Sequence, residues 1–198
     1  KERALLDYLR REIAAGRRVI VFVRHVNSGL PERLLTMIRE EGVTERVVYL
    51  NASKVSAQKR KAWISREVVD KEVDVLIVNP NSVKTGLNNL VWFASDWWHE
   101  TDYSAQTFRQ ANGRIHRIGQ EMPVEIVVPL YPGTAQEIAV DLVARKVTAS
   151  LQVDALGVQG ALEASGSGEA SREALEATLA MGRAIYERLV RRREEGAR

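Results

Sequence analysis

The sequence predicts an α/β fold of three layers, a mainly parallel central sheet between helices, with a helical extension at its C-terminal end. Two observations carry this. Short runs rich in β-branched residues, Val19 to Val23 and Val73 to Val78, have the character of strands covered on both faces. Between them lie amphipathic segments of helical period, and strands that alternate with helices at this spacing form parallel units joined by crossovers.

Each element has a local reason. Leu5, Leu6, Leu9 and Ile13 make a helical stripe over Ala4 to Ala15, closed by Gly16. After the strand from Val19, Ser28 is placed to cap a second helix containing Leu34, Leu35 and Ile38, which Gly42 stops. Arg46 to Leu50 reads as a strand, Ser56 to Val69 as a helix, and Val73 to Val78 as a strand halted by Pro80. A short strand is expected at Leu90 to Phe93, a helix from Tyr103, and a strand at Val124 to Val128. Thr134 and Glu137, preceded by Gly133, form a capping box for a helix with Ile138, Leu142 and Val143 on its inner side. The small polar stretch from Glu163 to Glu169 reads as a linker. The expected division is therefore a domain over 1–150, a linker over 151–170 and a C-terminal helix over 171–198. That helix ends in Arg188, Arg191, Arg192 and Arg193, a basic end that either lies on DNA or a partner or, the favoured reading, is a solvated face whose cations complement the helix dipole.

Composition excludes more than it selects. The 198 residues are 45% hydrophobic and 28% charged, ordinary for a soluble globular protein. With 29 Lys+Arg against 26 Asp+Glu the net charge of +3 is too small to argue for nucleic acid. Absence of cysteine removes disulfide scaffolds, cysteine nucleophiles and Cys-ligated zinc. His25, His99 and His116 are scattered and lack metal-ligand spacing. The apolar runs are too short to span a bilayer, so a cytoplasmic protein without membrane association is expected, and the non-methionine start suggests a fragment of something longer. No GxxxxGK followed by Ser or Thr occurs, so the chain by itself lacks the cradle that holds nucleotide phosphates in P-loop enzymes.

The densest chemistry lies in Gln110-Ala111-Asn112-Gly113-Arg114-Ile115-His116-Arg117-Ile118-Gly119-Gln120. On a helix, Gln110, Arg114 and Arg117 share one face, while Phe108, Ala111, Ile115 and Ile118 share a neighbouring one that can anchor the element in a core. Two planar, permanently charged guanidiniums held together suit phosphoryl oxygens on which charge grows during transfer. By spacing alone the segment is equally a solvated helical face. Two loops that follow expected strands, Asn51-Ala52-Ser53-Lys54 and Asn79-Pro80-Asn81-Ser82-Val83-Lys84-Thr85-Gly86-Leu87-Asn88, offer hydroxyls, amides and lysines to phosphates, or serve only as turns.

Taken in order, these segments resemble the second RecA-like lobe of superfamily-two helicases, most closely the Swi/Snf-type DNA translocases, over roughly residues 1–150. Val19 to His25 is similar to motif IV, Thr85-Gly86-Leu87-Asn88 with Leu90 to motif V, and Gln110 to Gln120 to motif VI. The resemblance extends to Asn51-Ala52-Ser53 with Gln58-Lys59-Arg60, to Val124-Glu125-Ile126, and to Gly133-Thr134 with Glu137 and Lys146. It implies that Arg114 and Arg117 reach ATP phosphates held by a first lobe, with Gln110 positioning them. It also implies that Gly86 and Asn88 lie near the nucleotide and that Ser53, Lys54, Ser82, Lys84 and Thr85 track DNA phosphates. ATP and Mg²⁺ then belong to the full-length protein and are not held by this chain alone; the implied partners are duplex DNA and an N-terminal RecA-like lobe. Ala52 replaces a glycine, Asn88-Asn89 lengthens motif V, and Asp96-Trp97-Trp98-His99-Glu100 stands where Asp-x-Trp-Asn-Pro is usual, departures that suggest a divergent bacterial or phage-like branch. Trp97 and Trp98 either stack on a base or, the favoured reading, pack beneath the motif VI segment. A binding or regulatory module without hydrolysis, and an RNA helicase lobe, remain as alternatives.

Overall fold

The computed structural model describes residues 1–83, 87, 90–100 and 104–165, with side chains as far as 150. Among them, β1 (Val19–Phe22), β2 (Val47–Leu50), β3 (Val75–Val78), β4 (Ser95–Trp98) and β5 (Glu125–Val127) form one sheet in the order β2-β3-β1-β4-β5, every pairing parallel. The helices are α1 (Glu2–Ala14), α2 (Leu30–Glu40), α3 (Arg60–Ile64), the short α4 (Pro80–Val83), α5 (Ala105–Asn112) and α6 (Ala135–Ser165). The expected three-layer α/β architecture is observed. The sheet belongs to one compact unit that runs to Tyr131, and α6 to a second that starts at Pro132 and includes Ser104–Gln106.

The β-branched runs become fully buried strands because helices cover both faces. On one face α1 contributes Leu5, Leu6, Tyr8 and Leu9, and α2 contributes Leu34 and Ile38, against Val19, Val21, Val47, Val75, Ile77 and Trp97. On the other, Phe22 meets Trp98 at 4.6 Å between ring centroids and Trp98 meets Phe108 of α5 at 4.8 Å. The amino ends of the strands are closed by ion pairs: Glu12, nearly inaccessible, accepts from Arg17 Nε at 2.7 Å and from the Ser95 hydroxyl, while Arg46 and Asp74 meet at 2.8 Å.

Several expectations give way to tertiary structure. Ser28 does not cap α2; its hydroxyl donates to the His25 carbonyl at 2.6 Å inside a 3₁₀ turn, Val26–Ser28, and α2 opens after Gly29 with Pro31 in its first turn. The helix expected over Ser56 to Val69 starts as a 3₁₀ turn, continues as α3 and widens into a π turn over Ser65–Val69. Leu90 to Phe93 is a turn and not a strand: the carbonyls of Val91 and Phe93 accept from the Gln120 amide, and the ladder starts only at Ser95. In α6 the inner stripe is Ala139, Val140, Val143, Ala144 and Val147, so Val143 is buried as expected while Ile138 and Leu142 are exposed. The Gly133 amide donates to Glu137 and the Gln136 amide to the Thr134 hydroxyl, both halves of a capping arrangement. The helix continues through Ser165, and the final helix expected from Ser171 lies outside the described residues.

Candidate functional site

Because all five strands are parallel, the loops that follow β1, β2, β3 and β4 gather at one edge of the sheet, the edge where α/β folds place ligands. A continuous set of hydrogen bonds joins them. Arg60 donates to the carbonyl of Val55, after β2, at 3.4 Å and to that of Ser82, after β3, at 3.2 Å. The Asn79 amide donates to the carbonyl of Arg24, after β1, at 2.9 Å. Glu100, after β4, accepts the backbone amides of Arg24 and His25, each at 2.8 Å, and lies 2.8 Å from His25 Nδ1. Burial pushes the Glu100 carboxyl upward, but these amides and the imidazole outweigh it and hold the group below the usual range. Four loops are thereby fixed by three side chains, Arg60, Asn79 and Glu100; each lies in a segment the sequence marks, but nothing in the sequence points to this bracing role. Their partners lie in other loops, so no local spacing marks them.

Ser53 and Lys54 stand exposed after β2 on a turn closed by Asn51, whose side-chain oxygen accepts the Ser53 amide at 2.9 Å. Ser82 is different. It is buried in α4, 5% accessible, and does not join the outer surface that Ser53 and Lys54 share. Lys84, Thr85, Gly86 and Asn88 lie outside the described residues.

The arginine segment departs from the single helical face its spacing suggests. α5 ends at Asn112, whose side-chain oxygen accepts the Trp98 indole N–H at 2.9 Å, and Gly113 to Gly119 form successive turns. Gln110 is exposed in the last turn of α5, Arg114 is half-buried and Arg117 exposed. Arg114 NH1 donates to the Leu87 carbonyl at 3.3 Å, and Arg117 Nε to that of Gly113 at 3.0 Å. The structure thus sets Arg114 against the loop after α4 and keeps Arg117 close by. Burial lowers the Arg114 pKa and the positive charge of Arg117 lowers it further. The two guanidiniums thus lie near enough for the charge of Arg117 to act on Arg114.

Gln120 fixes the far end of this segment. Its Nε2 donates to the carbonyls of Phe93 at 2.7 Å, and of Val91 and Ile115 at 3.2 Å, while its Oε1 accepts the Met122 amide at 3.0 Å. Phe108, Ala111 and Ile115 are buried as the periodicity predicts. Ile118 is not: it is fully exposed, because the chain leaves the helix before reaching it. Trp97 and Trp98 are both buried: Trp98 lies beneath α5, as the packing reading has it, while Trp97 packs on the opposite face of the sheet against Tyr8 of α1 at 5.1 Å, so neither ring is left for base stacking. Among the described residues no cluster of His, Asp and Glu is placed to hold a metal ion. No described helix is long and apolar enough to cross a membrane.

No family model matches the sequence, and no curated protein matches it significantly. Among solved structures the chain is similar to the C-terminal part of the Fun30 ATPase domain, with a TM-score of 0.58 and 20% identity. The similarity covers 71% of this chain and 43% of that one, so the chain spans less than half the length of the solved relative. At this identity the likeness shows the fold, an α/β RecA-like sheet.

Proposed function

We propose that this chain is the second motor lobe of an ATP-dependent DNA translocase or helicase, of a divergent Swi/Snf-like branch. It supplies Arg114 and Arg117 to ATP and Mg²⁺ held by a first lobe. The observation that carries this reading is the arginine pair itself: two guanidiniums on a braced turn, one buried enough and near enough to the other to have its proton affinity lowered. Bound ATP would supply the phosphoryl group to be transferred. Arg114 and Arg117 would neutralise charge on its oxygens, an effect worth on the order of 10³–10⁵ in rate for an arginine finger. Gln110, exposed one turn earlier, would position them or the attacking water. Gly86 and Asn88 would approach the nucleotide, and Ser53, Lys54, Lys84 and Thr85 would grip the backbone phosphates of duplex DNA, whereas buried Ser82 would not reach them.

The test is ATP hydrolysis by the full-length protein, with and without duplex DNA, for wild type, Arg114→Ala and Arg117→Ala. We expect DNA-stimulated turnover that falls by about 10³-fold or more in each variant, and no turnover by the 198-residue chain alone. Wild-type rates in both variants would remove the finger assignment. DNA binding without any hydrolysis would favour a binding module on the same fold.

A further inference from the structure

Two buried side chains between β4 and α5 hold polar atoms that have no hydrogen-bond partner: Asp96, at both carboxyl oxygens, and Asn112, at its side-chain nitrogen. Asp96 is fully inaccessible and Asn112 is 4% exposed. Folded interiors rarely leave such atoms unpaired, because a buried polar group without a partner has lost its water and gained nothing in exchange.

The two groups stand at one level. Asp96 and Trp98, two residues apart in β4, share a face of the sheet, and Trp98 meets Phe108 of α5 on that face. From this contact β4 runs back about 6.6 Å to Asp96. Helix α5 links the parallel strands β4 and β5 and so runs the opposite way, advancing about 6 Å from Phe108 to Asn112. Further on, Gln120 Nε2 donates both to the Phe93 carbonyl, three residues before Asp96, and to the Ile115 carbonyl, three residues after Asn112. Asp96 and Asn112 are therefore the pair between two fixed rungs.

Their chemistry is complementary: the Asn112 nitrogen needs an acceptor and the Asp96 oxygens need a donor. Asn112 Oδ1 already accepts the Trp98 indole N–H at 2.9 Å, so the amide can turn about that bond and bring its nitrogen to Asp96 without breaking it. Gly113 alone separates Asn112 from Arg114, so a shift at the end of α5 passes directly to the first arginine.

We propose that Asp96 is a positioning residue for the arginine turn: when Arg114 and Arg117 engage phosphate, the end of α5 closes onto β4 and Asn112 donates to the Asp96 carboxyl, a bond the resting fold leaves open. This rests on the reading of the two arginines as groups that reach ATP. A bond made in one state only favours that state, and nucleotide that favours the state favours the bond in return. Asp96 itself touches no reacting atom.

In the full-length protein, Asp96→Val is expected to lower hydrolysis about tenfold, the worth of one hydrogen bond gained between two states, with a urea midpoint no lower than that of wild type. Asp96→Asn keeps a neutral carbonyl acceptor in the same place and should restore most of the rate. The infrared carboxyl band that Asp96→Asn removes should move to lower frequency when a non-hydrolysable ATP analogue with Mg²⁺ is added to wild type, and should stay in place in Asn112→Leu. The two Asp96 variants decide the matter even where Asn112→Leu does not fold. An unmoved band in wild type, or wild-type hydrolysis by Asp96→Val, while Arg114→Ala and Arg117→Ala lose turnover, would overturn the closing bond and leave the arginine reading standing. A lower rate together with a lower urea midpoint in Asp96→Val would also overturn it, because the carboxyl would then serve only the fold. Wild-type hydrolysis in both arginine variants would remove the underlying reading and the closing bond with it.

Discussion

Asp96 occupies the middle of β4, between Ile20 of β1 and Ile126 of β5, with neither carboxyl oxygen hydrogen-bonded. Burial raises its pKa well above 3.8, so the fold binds its proton more tightly than the unfolded chain does. A raised carboxyl pKa gives stability that is complete below the unfolded value and declines as pH rises above it. Asp96→Val is therefore expected to stabilise the protein at pH 7 by about 1–3 kcal/mol, with a gain that shrinks towards pH 4. Urea midpoints of both proteins at the two pH values check this, and a lower midpoint for the variant at pH 7 would mean the carboxyl has a compensating partner. The sequence marked the segment from Asp96 to Glu100 as unusual, but an aspartate in a strand of tryptophans gives no sign of whether it will find a partner. Only the register places it between two isoleucines.

At the scale of elements, Gln120 decides the conformation of two segments at once. Its amide satisfies carbonyls of the turn before β4 and of the arginine turn, so neither needs a strand partner or a helical one. Gln120→Leu leaves those carbonyls and the Met122 amide without that partner, an expected loss of about 1–3 kcal/mol. Faster amide hydrogen exchange over Arg114 to Gly119 should accompany the lower urea midpoint; unchanged exchange there would show that Ile115 alone braces the turn. The same contact explains what local reading missed. Strands β1 and β3 were legible because a β-branched run between helices has one physical outcome. The segment from Leu90 to Phe93 looked like a strand, and the helix through Gln110 looked longer than it is, because what redirects them comes from far away. The Asn112 side chain is held by Trp98, and the carbonyls before β4 by Gln120. Periodicity reports neither, and it carried Ile118 into a core it does not enter. The parallel order of the strands was legible all the same, and it brings the ends of β2 and β3 to one edge of the sheet, with Arg114 and Arg117 in the same compact unit.

For the whole molecule, the groups behind β4 set the response to acid. His99 is buried, its Nδ1 accepting the Trp97 indole N–H at 3.4 Å; burial first, then Lys1, lowers its pKa from 6.5 to about 4. A histidine kept neutral by the fold gives stability that is present above 6.5 and lost as pH falls through about 4, and Glu100, held below its ordinary value of 4.5, adds a loss at lower pH. In the Asp96→Val background, where the opposite drift from that buried carboxyl is removed, the urea midpoint should fall between pH 6.5 and 4, and adding His99→Gln should flatten that slope; an equal slope with both substitutions would place the titrating group elsewhere. Strand order has a further consequence, for the time before the fold exists. Val19 of β1 lies between Val75 and Ser95, so neither neighbour has been synthesised when the strand leaves the ribosome. At about 5–20 residues per second, roughly 3–11 s pass between Val19 and Val75, the first of its two neighbours to be made. Until then the most apolar run of the nascent chain has no strand to pair with, which leaves it the segment most open to wrong association during synthesis.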